Sequence, residues 1–357
     1  MKEYFIDRSY KASMGIANAV LVTLGIGLLL QTIGQMTGIS FLATVGAIGK
    51  TMLIPGIGVG IAMCLHANTL VTISAAASAV IGGGAVATLA GGGVAITSGE
   101  PVGAILAVIV AVWTGKRVTG KTKFDMILIP GVSLLAGGLS GILFAKIMAP
   151  ILASVSLGIS SLIGGSPLIS SMIIAFVFGL LILSPASSAA LAIALQLDPT
   201  ASAAALIGCS VQFVSFAVLS YRDNNWGAFF AQLICTPKLQ TPNIIRKPSL
   251  MLVPLLTTLI AGPLGVMVFH IQAASEVAGL GLCAFVAPLY LIANYGFSTL
   301  AAFILVAVVL PGVIALVVRP FLIKKERLKT GDLTIELQQN SIKSRALSLY
   351  FLYWNFE

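Results

Sequence analysis

The chain has 357 residues, of which 58% are hydrophobic and only 9% are charged, whereas an ordinary globular domain is roughly one-quarter charged. This composition excludes a soluble domain. A bilayer core about 30 Å thick needs roughly 20 apolar residues per helix, and uncharged stretches of that length recur from Met14 to Val318. The sequence therefore predicts an all-α polytopic membrane protein with about eight to ten transmembrane helices, some of them broken or re-entrant.

The net charge of +9 comes from lysines and arginines at the edges of apolar segments. They cluster before the first span at 2–11, in a short loop at 116–123, and after the last span at 319–329. Because positive residues that flank spans mark the cytoplasmic side, we expect both termini to be cytoplasmic, with lipid around the chain and no nucleic acid as partner. The first apolar stretch lacks a small-residue cleavage site, which favours a retained span over a signal peptide.

In chain order the candidate spans are 14–36, 41–66, 70–96, 102–113, 126–148, 167–183, 187–219, 250–270, 277–293 and 300–318. The fourth is too short to cross alone, and Asp198-Pro199 interrupts the seventh, which predicts two helices or a broken one. Residues 227–234 and 239–245 are candidates for re-entrant pieces. The polar sequence after Arg319 divides the chain into a transmembrane domain at 1–320 and a cytoplasmic tail at 321–357.

Two glycine triplets, at 82–84 and 91–93, lie inside apolar sequence. Small residues permit close helix packing, which is the ordinary explanation for such runs. The alternative is unwound backbone near a binding site, since irregular backbone is tolerated at membrane depth only where protein or a water-filled cavity covers it. The sequence leaves both interpretations open.

The cysteines and glycines indicate no cofactor. Cys64, Cys209, Cys235 and Cys283 lie in or beside apolar segments without metal-ligand spacing, so we expect no disulfide and no metal site. No phosphate-binding lysine motif accompanies the glycine runs, which argues against an ATP-driven pump.

Glu100 is the foremost candidate for a substrate-binding residue. An intramembrane carboxylate costs several kcal/mol unless it is paired or hydrated, which makes it a functional candidate by default. Glu100 follows Gly99 and precedes Pro101, and these neighbours break a helix and leave backbone groups free beside the carboxylate. Gly99 is therefore a candidate for substrate binding as well. The alternative is a loop glutamate at the membrane surface.

Two further groups of polar residues are candidates. His66 and Asn68 follow a long apolar segment, so one turn offers an amide and an imidazole that can act as a general base near neutral pH. We take His66 as the candidate catalytic residue and both as candidates for substrate binding. Asn243, in the polar unit 241–248, is a further candidate for substrate binding, and a topology-setting loop is the alternative there.

Three stretches carry a family resemblance: SPASSAALAIAL at 184–195, GCSVQFVSFAVLSYRDNNWG at 208–227 and LQTPNIIRKP at 239–248. The chain resembles, up to about Arg319, the membrane IIC component (EIIC) of the bacterial phosphoenolpyruvate-dependent sugar phosphotransferase system, in the branch that includes perfringolysin-regulator-like proteins. Glucose-type relatives have a Gly-Ile-Thr-Glu-Pro motif whose glutamate holds sugar hydroxyls, and residues 97–101 keep its Glu-Pro. A histidine near the reacting hydroxyl in those relatives corresponds most closely to His66.

The resemblance implies a homodimeric permease in the bacterial cytoplasmic membrane that binds a sugar and presents it to separate cytoplasmic IIB and IIA proteins. No phosphoryl-donor domain is recognisable in the sequence, so whether the chain itself takes part in a reaction stays open. One alternative is a membrane regulator that keeps the IIC fold and senses a ligand without transport. Another is an ion-coupled carrier of a different metabolite, with Asp198 or Glu276 as the coupling group.

Overall fold

A computed structural model describes residues 2–89, 92–97, 99–163 and 166–335. The N-terminal half begins with two helices that a π-helical turn, Leu21–Ile26, joins into one continuous helical segment, Glu3–Thr37. Five further helices follow, of which the last has 39 residues. These helices are α1 (Lys2–Val20), α2 (Gly27–Thr37), α3 (Ser40–Thr51), α4 (Leu53–Cys64), α5 (Thr69–Gly82), α6 (Pro101–Val118) and α7 (Asp125–Ile163).

The C-terminal half contains shorter and more broken helices, several of which continue into π-helical or 3-10 turns. They are α8 (Pro167–Leu181), α9 (Ser188–Ala194), α10 (Pro199–Leu219), α11 (Trp226–Phe230), α12 (Thr241–Arg246), α13 (Leu252–Pro263), α14 (Ser275–Ala278), α15 (Val286–Ile304) and α16 (Leu310–Lys324). The π-helical turns are Ala231–Cys235, Leu264–Val268 and Leu305–Val309, and the 3-10 turns are Pro237–Gln240, Pro248–Met251 and Cys283–Phe285.

The structure confirms an all-α polytopic membrane protein with broken segments. Six helices in the described part of the chain are long and apolar enough to cross a bilayer, or seven if α3 and α4, which bend by 57° at Met52, count as one span. This is fewer than the eight to ten expected. The difference arises because the stretches predicted at 70–96 and 167–183 form the shorter helices Thr69–Gly82 and Pro167–Leu181, and because those predicted at 277–293 and 300–318 belong to one helical segment, Cys283–Lys324.

A small antiparallel hairpin, which the sequence did not predict, separates α5 from α6. Its strands β1 (Val86–Thr88) and β2 (Val94–Ile96) pair Val86 with Ile96 and Thr88 with Val94. Hydrogen bonds from Thr97 N to Ala85 O (3.0 Å) and from Glu100 N to Gly83 O (2.8 Å) extend the pairing to the helix ends. The first glycine triplet thus ends a helix at unwound backbone.

Each half has its own apolar core. In the N-terminal half the buried side chains come mainly from α1, α4, α5 and α6, and in the C-terminal half they surround α10, where 94% of the most apolar window is buried. Small residues bring the helices close together. A Cβ atom on Gly15 would overlap the Gly60 backbone between α1 and α4, and one on Gly208 would overlap the Ala175 backbone between α10 and α8.

Two broken segments lie against α10. The interruption predicted at Asp198-Pro199 is confirmed, because α9 ends at Ala194 and α10 begins at Pro199 with Asp198 as its N-cap. The second segment contains the four-residue helix α14. The Ser188 hydroxyl donates to Gly279 O at 2.8 Å and Ala273 N donates to Pro199 O at 3.0 Å, so the two segments satisfy each other's backbone groups inside the protein, as a membrane requires.

All three basic clusters of the sequence lie at one end of the molecule, here called the basic end. Lys116 Nζ at the end of α6 donates to Leu65 O at the end of α4 (2.6 Å). The Arg246 guanidinium lies 3.3 Å from the centroid of the Tyr10 ring on α1. Arg319 near the end of α16 donates through Nε to Leu219 O at the end of α10 (2.9 Å).

Residues 325–335, here called the strap, dock against the basic end through a chain of amides. The Gln240 and Asn224 side chains both donate to Leu333 O, at 3.0 and 2.9 Å. Asn224 also accepts from Ile335 N at 2.8 Å. The strap therefore belongs to the folded unit, although it falls within the tail predicted at 321–357; residues 336–357 of that tail lie outside the described residues.

A pH-sensitive ion pair fastens the strap. Asp332 accepts from Lys247 Nζ at 2.5 Å and from Lys329 N at 2.8 Å. Burial of Asp332 acts to raise its pKa, but these hydrogen bonds and the nearby lysine charges act against it, so that the pKa of the carboxyl is lowered overall. A lowered pKa means that the folded state favours the ionised carboxylate.

We predict that Gly208→Ala lowers the free energy of unfolding by about 1–3 kcal/mol, because the new methyl group forces α8 and α10 apart. Thermal unfolding of the purified protein in detergent measures the change. Gly131→Ala in α7 is the matched control, since a Cβ atom there meets nothing within 4 Å. Equal melting temperatures for the two variants would contradict the close helix contact.

We predict that Asp332→Asn lowers stability by about 1 kcal/mol or less at neutral pH, because it removes a partly exposed ion pair. The ionised carboxylate stabilises the fold above the ordinary pKa of an aspartate, and this contribution disappears as the pH falls through the lowered pKa. The melting difference from wild type should therefore vanish in acid. Glu326→Gln, an exposed change on the same strap, serves as control, and a pH-independent difference would count against the ion pair.

Candidate functional site

A large cavity lies between the two halves at the basic end. Its volume is about 820 Å³, which falls in the usual range for small-molecule sites. Its walls are formed by α1 and the second half of α6 on one side and by residues 183–185 and 238–245 on the other. The lining residues are Tyr4, Phe5, Arg8, Ser9, Ala12, Ser13, Ile16, Ala17, Leu65, Ile105, Ile109, Val112, Trp113, Lys116, Arg117, Leu183, Ser184, Pro185, Lys238, Thr241 and Ile245.

Three of the cavity's cations come from the N-terminal half. Arg8 lies 5.0 Å from the centroid of the Tyr4 ring, and its Nε is buried with no hydrogen-bond partner among the described residues. Arg117 stacks on Trp113 at 4.5 Å. Lys116 donates to a backbone carbonyl, Leu65 O. Their neighbours are thus aromatic rings and neutral carbonyl groups.

The fourth cation, Lys238, comes from the C-terminal half and is 8% exposed. Its ammonium donates to Ser184 O and, at 3.3 Å, to Ala186 O, which are the freed carbonyl groups of the break between α8 and α9. Lys238 thus contributes a buried ammonium group to the cavity wall.

Glu100 lies at the far end of α6 from the basic end. It is the N-cap of the helix, and its Oε2 accepts from Gly103 N at 2.8 Å. Its Oε1 is buried and has no hydrogen-bond partner among the described residues. A Cβ atom on the preceding Gly99 would overlap Ala85 and the Gly83 carbonyl, so the missing side chain of Gly99 lets the hairpin pack against the end of α5. Glu100 thus has one oxygen committed to structure and one available to a ligand.

His66 and Asn68 lie at the basic end, in the turn between α4 and α5. Asn68 is the N-cap of α5, and its Oδ1 accepts from Val71 N at 2.9 Å while its Nδ2 donates to Thr119 Oγ1 at 3.1 Å. These bonds give the Asn68 amide a structural task at the junction of α5 and α6. His66 has a left-handed backbone, with φ of 57°, and directly follows the cavity-lining Leu65.

The structure does not bring Glu100 and His66 together. Glu100 caps the start of α6. Lys116, which contacts the residue next to His66, lies in the last turn of α6. At about 1.5 Å per residue, Lys116 is roughly 24 Å from Glu100 along the helix axis. The expectation that one sugar contacts both side chains is therefore not met in this conformation. Their individual roles remain predictions.

The Asn243 side chain is occupied by the strap. Its Nδ2 donates to Gln240 Oε1 at 2.8 Å and to Thr334 O at 2.9 Å, and it is 7% exposed. Asn243 does not line the large cavity. This geometry is that of a structural amide which ties the 241–248 unit to the strap, and a role for Asn243 in substrate binding stays a prediction.

The two carboxylates considered for ion coupling have ordinary surroundings. Asp198 Oδ1 accepts from Thr200 N at 2.9 Å and Ala201 N at 3.1 Å, as a helix cap does. Glu276 is exposed near the start of α14. Neither is a buried carboxylate in need of a partner, which distinguishes both from Glu100.

The cavity was not predicted from the sequence, because the cations that line it were interpreted as topology signals. Arg8, Lys116 and Arg117 belong to the clusters that mark the basic end, and Lys238 stood unremarked at the edge of the 239–248 motif. One signal was available. Lys238 interrupts a stretch of 13 residues, 233–245, that contains no other charged side chain, and a lone cation there needs a partner.

No curated protein matches the chain. A family model described as "Phosphotransferase system, EIIC" matches residues 10–335. This range includes the cores of both halves, the whole strap and the cavity lining except Tyr4, Phe5, Arg8 and Ser9. The chain therefore belongs to the EIIC family of the phosphotransferase system.

Proposed function

We propose that this protein is the sugar permease component of a phosphotransferase system, which binds a sugar in the membrane and releases it to phosphorylation by a separate IIB protein. Membership of the EIIC family supports a permease and implies a sugar and IIB and IIA partners. The observation that carries the proposal is the cavity of about 820 Å³ between the two halves, large enough for a sugar and lined by groups from both.

The positive-inside rule places the basic end in the cytoplasm. On this assignment the cavity opens toward the side where a IIB protein would meet its substrate, in a bacterial cytoplasmic membrane. Glu100 and the hairpin then lie toward the opposite face. Cysteine accessibility to a membrane-impermeant reagent in whole cells tests the assignment, and labelling of a cysteine at Lys121 from outside would refute it.

Glu100 is the proposed sugar-binding group. A carboxylate accepts several hydrogen bonds and donates none, and a sugar offers hydroxyl donors. Oε1 is a buried acceptor with no partner among the described residues, and a buried acceptor of this kind is costly unless a ligand or water supplies the donor. Gly99 serves this site by allowing the close approach of the hairpin.

We propose that His66, at the basic end, acts as the general base for the reacting hydroxyl group of the sugar. It neighbours the cavity through Leu65 and the Lys116 contact, and a neutral imidazole can accept a proton from a hydroxyl as phosphoryl transfer proceeds. The two roles thus belong to opposite ends of α6, with recognition at Glu100 and reaction near His66.

A homodimer is proposed on the same family grounds. Among the described residues of α7, large apolar side chains are widely exposed, including Ile127, Leu135 and Leu139, and lipid or a second copy would cover them. Native mass spectrometry from mild detergent measures the assembly. A monomer at every concentration would refute the dimer.

We predict that Glu100→Gln weakens sugar binding roughly ten- to a hundredfold, the loss expected for a charge-assisted hydrogen bond. Glutamine keeps an oxygen for Gly103 N, so the cap and the fold should persist. The measurement is a thermal-shift titration of the detergent-solubilised protein against a panel of sugars, because a ligand that binds the native state raises its melting temperature.

The matched control is Asp198→Asn, which alters another capping carboxylate whose hydrogen bonds are already made within the protein. We expect it to leave the sugar shift unchanged. Full sugar binding by Glu100→Gln would remove Glu100 from the site. The absence of a shift with every sugar in wild type would contradict the permease and favour a non-transporting regulator.

We predict that His66→Gln lowers the rate of sugar phosphorylation by about a hundredfold or more, as loss of a general base does, with little change in sugar affinity. The assay supplies phosphoenolpyruvate and the cytoplasmic phosphotransferase proteins to vesicles that contain the full chain. Lys121→Gln, on the exposed loop, is the control. A rate equal to wild type would exclude His66 from the reaction.

A further inference from the structure

Four cations surround the large cavity, and no aspartate or glutamate lines it among the described residues. Arg8, Lys116, Arg117 and Lys238 contribute the charges, two from each class of basic side chain. Like charges gathered around a low-dielectric cleft repel one another and raise the local concentration of anions. The cavity therefore favours an anionic occupant.

The contacts described for these cations are with neutral groups, and Asp7, the acidic residue beside Arg8 in the sequence, is paired with Lys11 at 2.7 Å. Arg8 and Arg117 lie over aromatic rings, and Lys116 and Lys238 donate to backbone carbonyl groups. The Nε of Arg8 is buried and lacks a hydrogen-bond partner in the described structure. These contacts position the charges without neutralising them, unlike the ion pair of Lys247 with Asp332.

The positive-inside rule does not explain why these four cations lie around one cavity. Lys121 and Lys123 belong to the same basic loop as Lys116 and Arg117, and they would mark the cytoplasmic side equally well. Both are exposed and neither lines the cavity. Lys238 is buried and comes from the other half of the molecule. A residue that only marks the cytoplasmic side would not need to lie in a cavity wall.

The size and the walls of the cavity specify more than a bare anion. Its volume of about 820 Å³ far exceeds that of inorganic phosphate and suits a molecule of sugar size. Trp113, which is 57% exposed, and Tyr4 present aromatic faces on which the apolar face of a sugar ring can pack. Arginine and lysine are the side chains that proteins use for phosphate groups.

We propose that this cavity binds a phosphorylated sugar, with Arg8, Lys116 and Lys238 around the phosphate and the aromatic wall against the ring. The inference rests on the proposed function, because such a molecule is the product that a IIB protein would form at this end. The cluster then holds the product before its release to the cytoplasm. Glu100, at the other end of α6, would bind the uncharged sugar.

The test is equilibrium binding of hexose phosphates to the full chain in lipid-free detergent. The probes are glucose 6-phosphate, mannose 6-phosphate, fructose 1-phosphate and N-acetylglucosamine 6-phosphate, with the free sugars and inorganic phosphate beside them. We expect at least one hexose phosphate to bind more tightly than inorganic phosphate, and salt to weaken it as charges are screened. No binding of any of the four would overturn the proposal.

Matched variants separate the cavity from general surface charge. We expect Arg8→Gln and Lys116→Gln to weaken the hexose phosphate roughly tenfold or more, as removal of a charge-assisted hydrogen bond does. Lys116→Arg keeps the charge and should retain most of the affinity, which also controls for folding. Lys121→Gln and Lys123→Gln should leave it unchanged. Equal losses in loop and cavity variants would refute a built site.

Two further arms identify the occupant and keep the two proposals apart. Binding of a hexose phosphate by Glu100→Gln, with free-sugar binding lost, supports two distinct sites. Free-sugar binding in wild type without hexose phosphate binding refutes only the product site. The last arm tests a lipid headgroup as the occupant, with phosphatidylglycerol supplied in nanodiscs. The proposal is wrong if wild type retains this lipid, Lys116→Gln does not retain it, and hexose phosphates fail to displace it.

Discussion

A bilayer offers the backbone no hydrogen-bond partners. The N–H and C=O groups that are freed where a helix is interrupted must therefore bond to other parts of the protein. The fold meets this constraint around α10, the most buried helix of the C-terminal half. The breaks beside it bond to each other, Ser188 to Gly279 and Ala273 to Pro199. Lys238 then satisfies the two carbonyl groups freed after α8. The same constraint therefore produces both the broken helices and the buried cation of the cavity.

The distribution of positive charge is the second feature that organises the molecule. The basic clusters that set topology lie far apart in sequence, yet α1, α6 and α16 bring them to one end, where the strap and the 241–248 unit join them through amide hydrogen bonds. Some of these cations lie on loops, and others line the cavity between the halves. Membrane orientation and ligand attraction thus draw on one set of residues, and only their positions in three dimensions distinguish the two uses.

Composition and local pattern predicted the fold class and the break at Asp198-Pro199. They did not predict the number of spans, because apolar character does not fix helix length; α5 and α8 are as apolar as true spans but too short. The hairpin at 86–96 was hidden because the glycine runs fit helix packing as well as unwound backbone. The amides of Asn68 and Asn243 appeared available because their partners, Thr119 and Thr334, are distant in sequence.

The separation of Glu100 from His66 could have been inferred from chain direction. His66 precedes α5 and Glu100 follows it, so one helix of 14 residues, about 21 Å at 1.5 Å per residue, lies between them. A permease with recognition at one end and reaction at the other must move the sugar along α6. The wall between is apolar, formed by Ile105, Ile109 and Val112, and it offers no hydrogen bonds to hydroxyl groups. On the proposed scheme a sugar gains no hydrogen bond from these three side chains, so its recognition is divided between the two ends of α6.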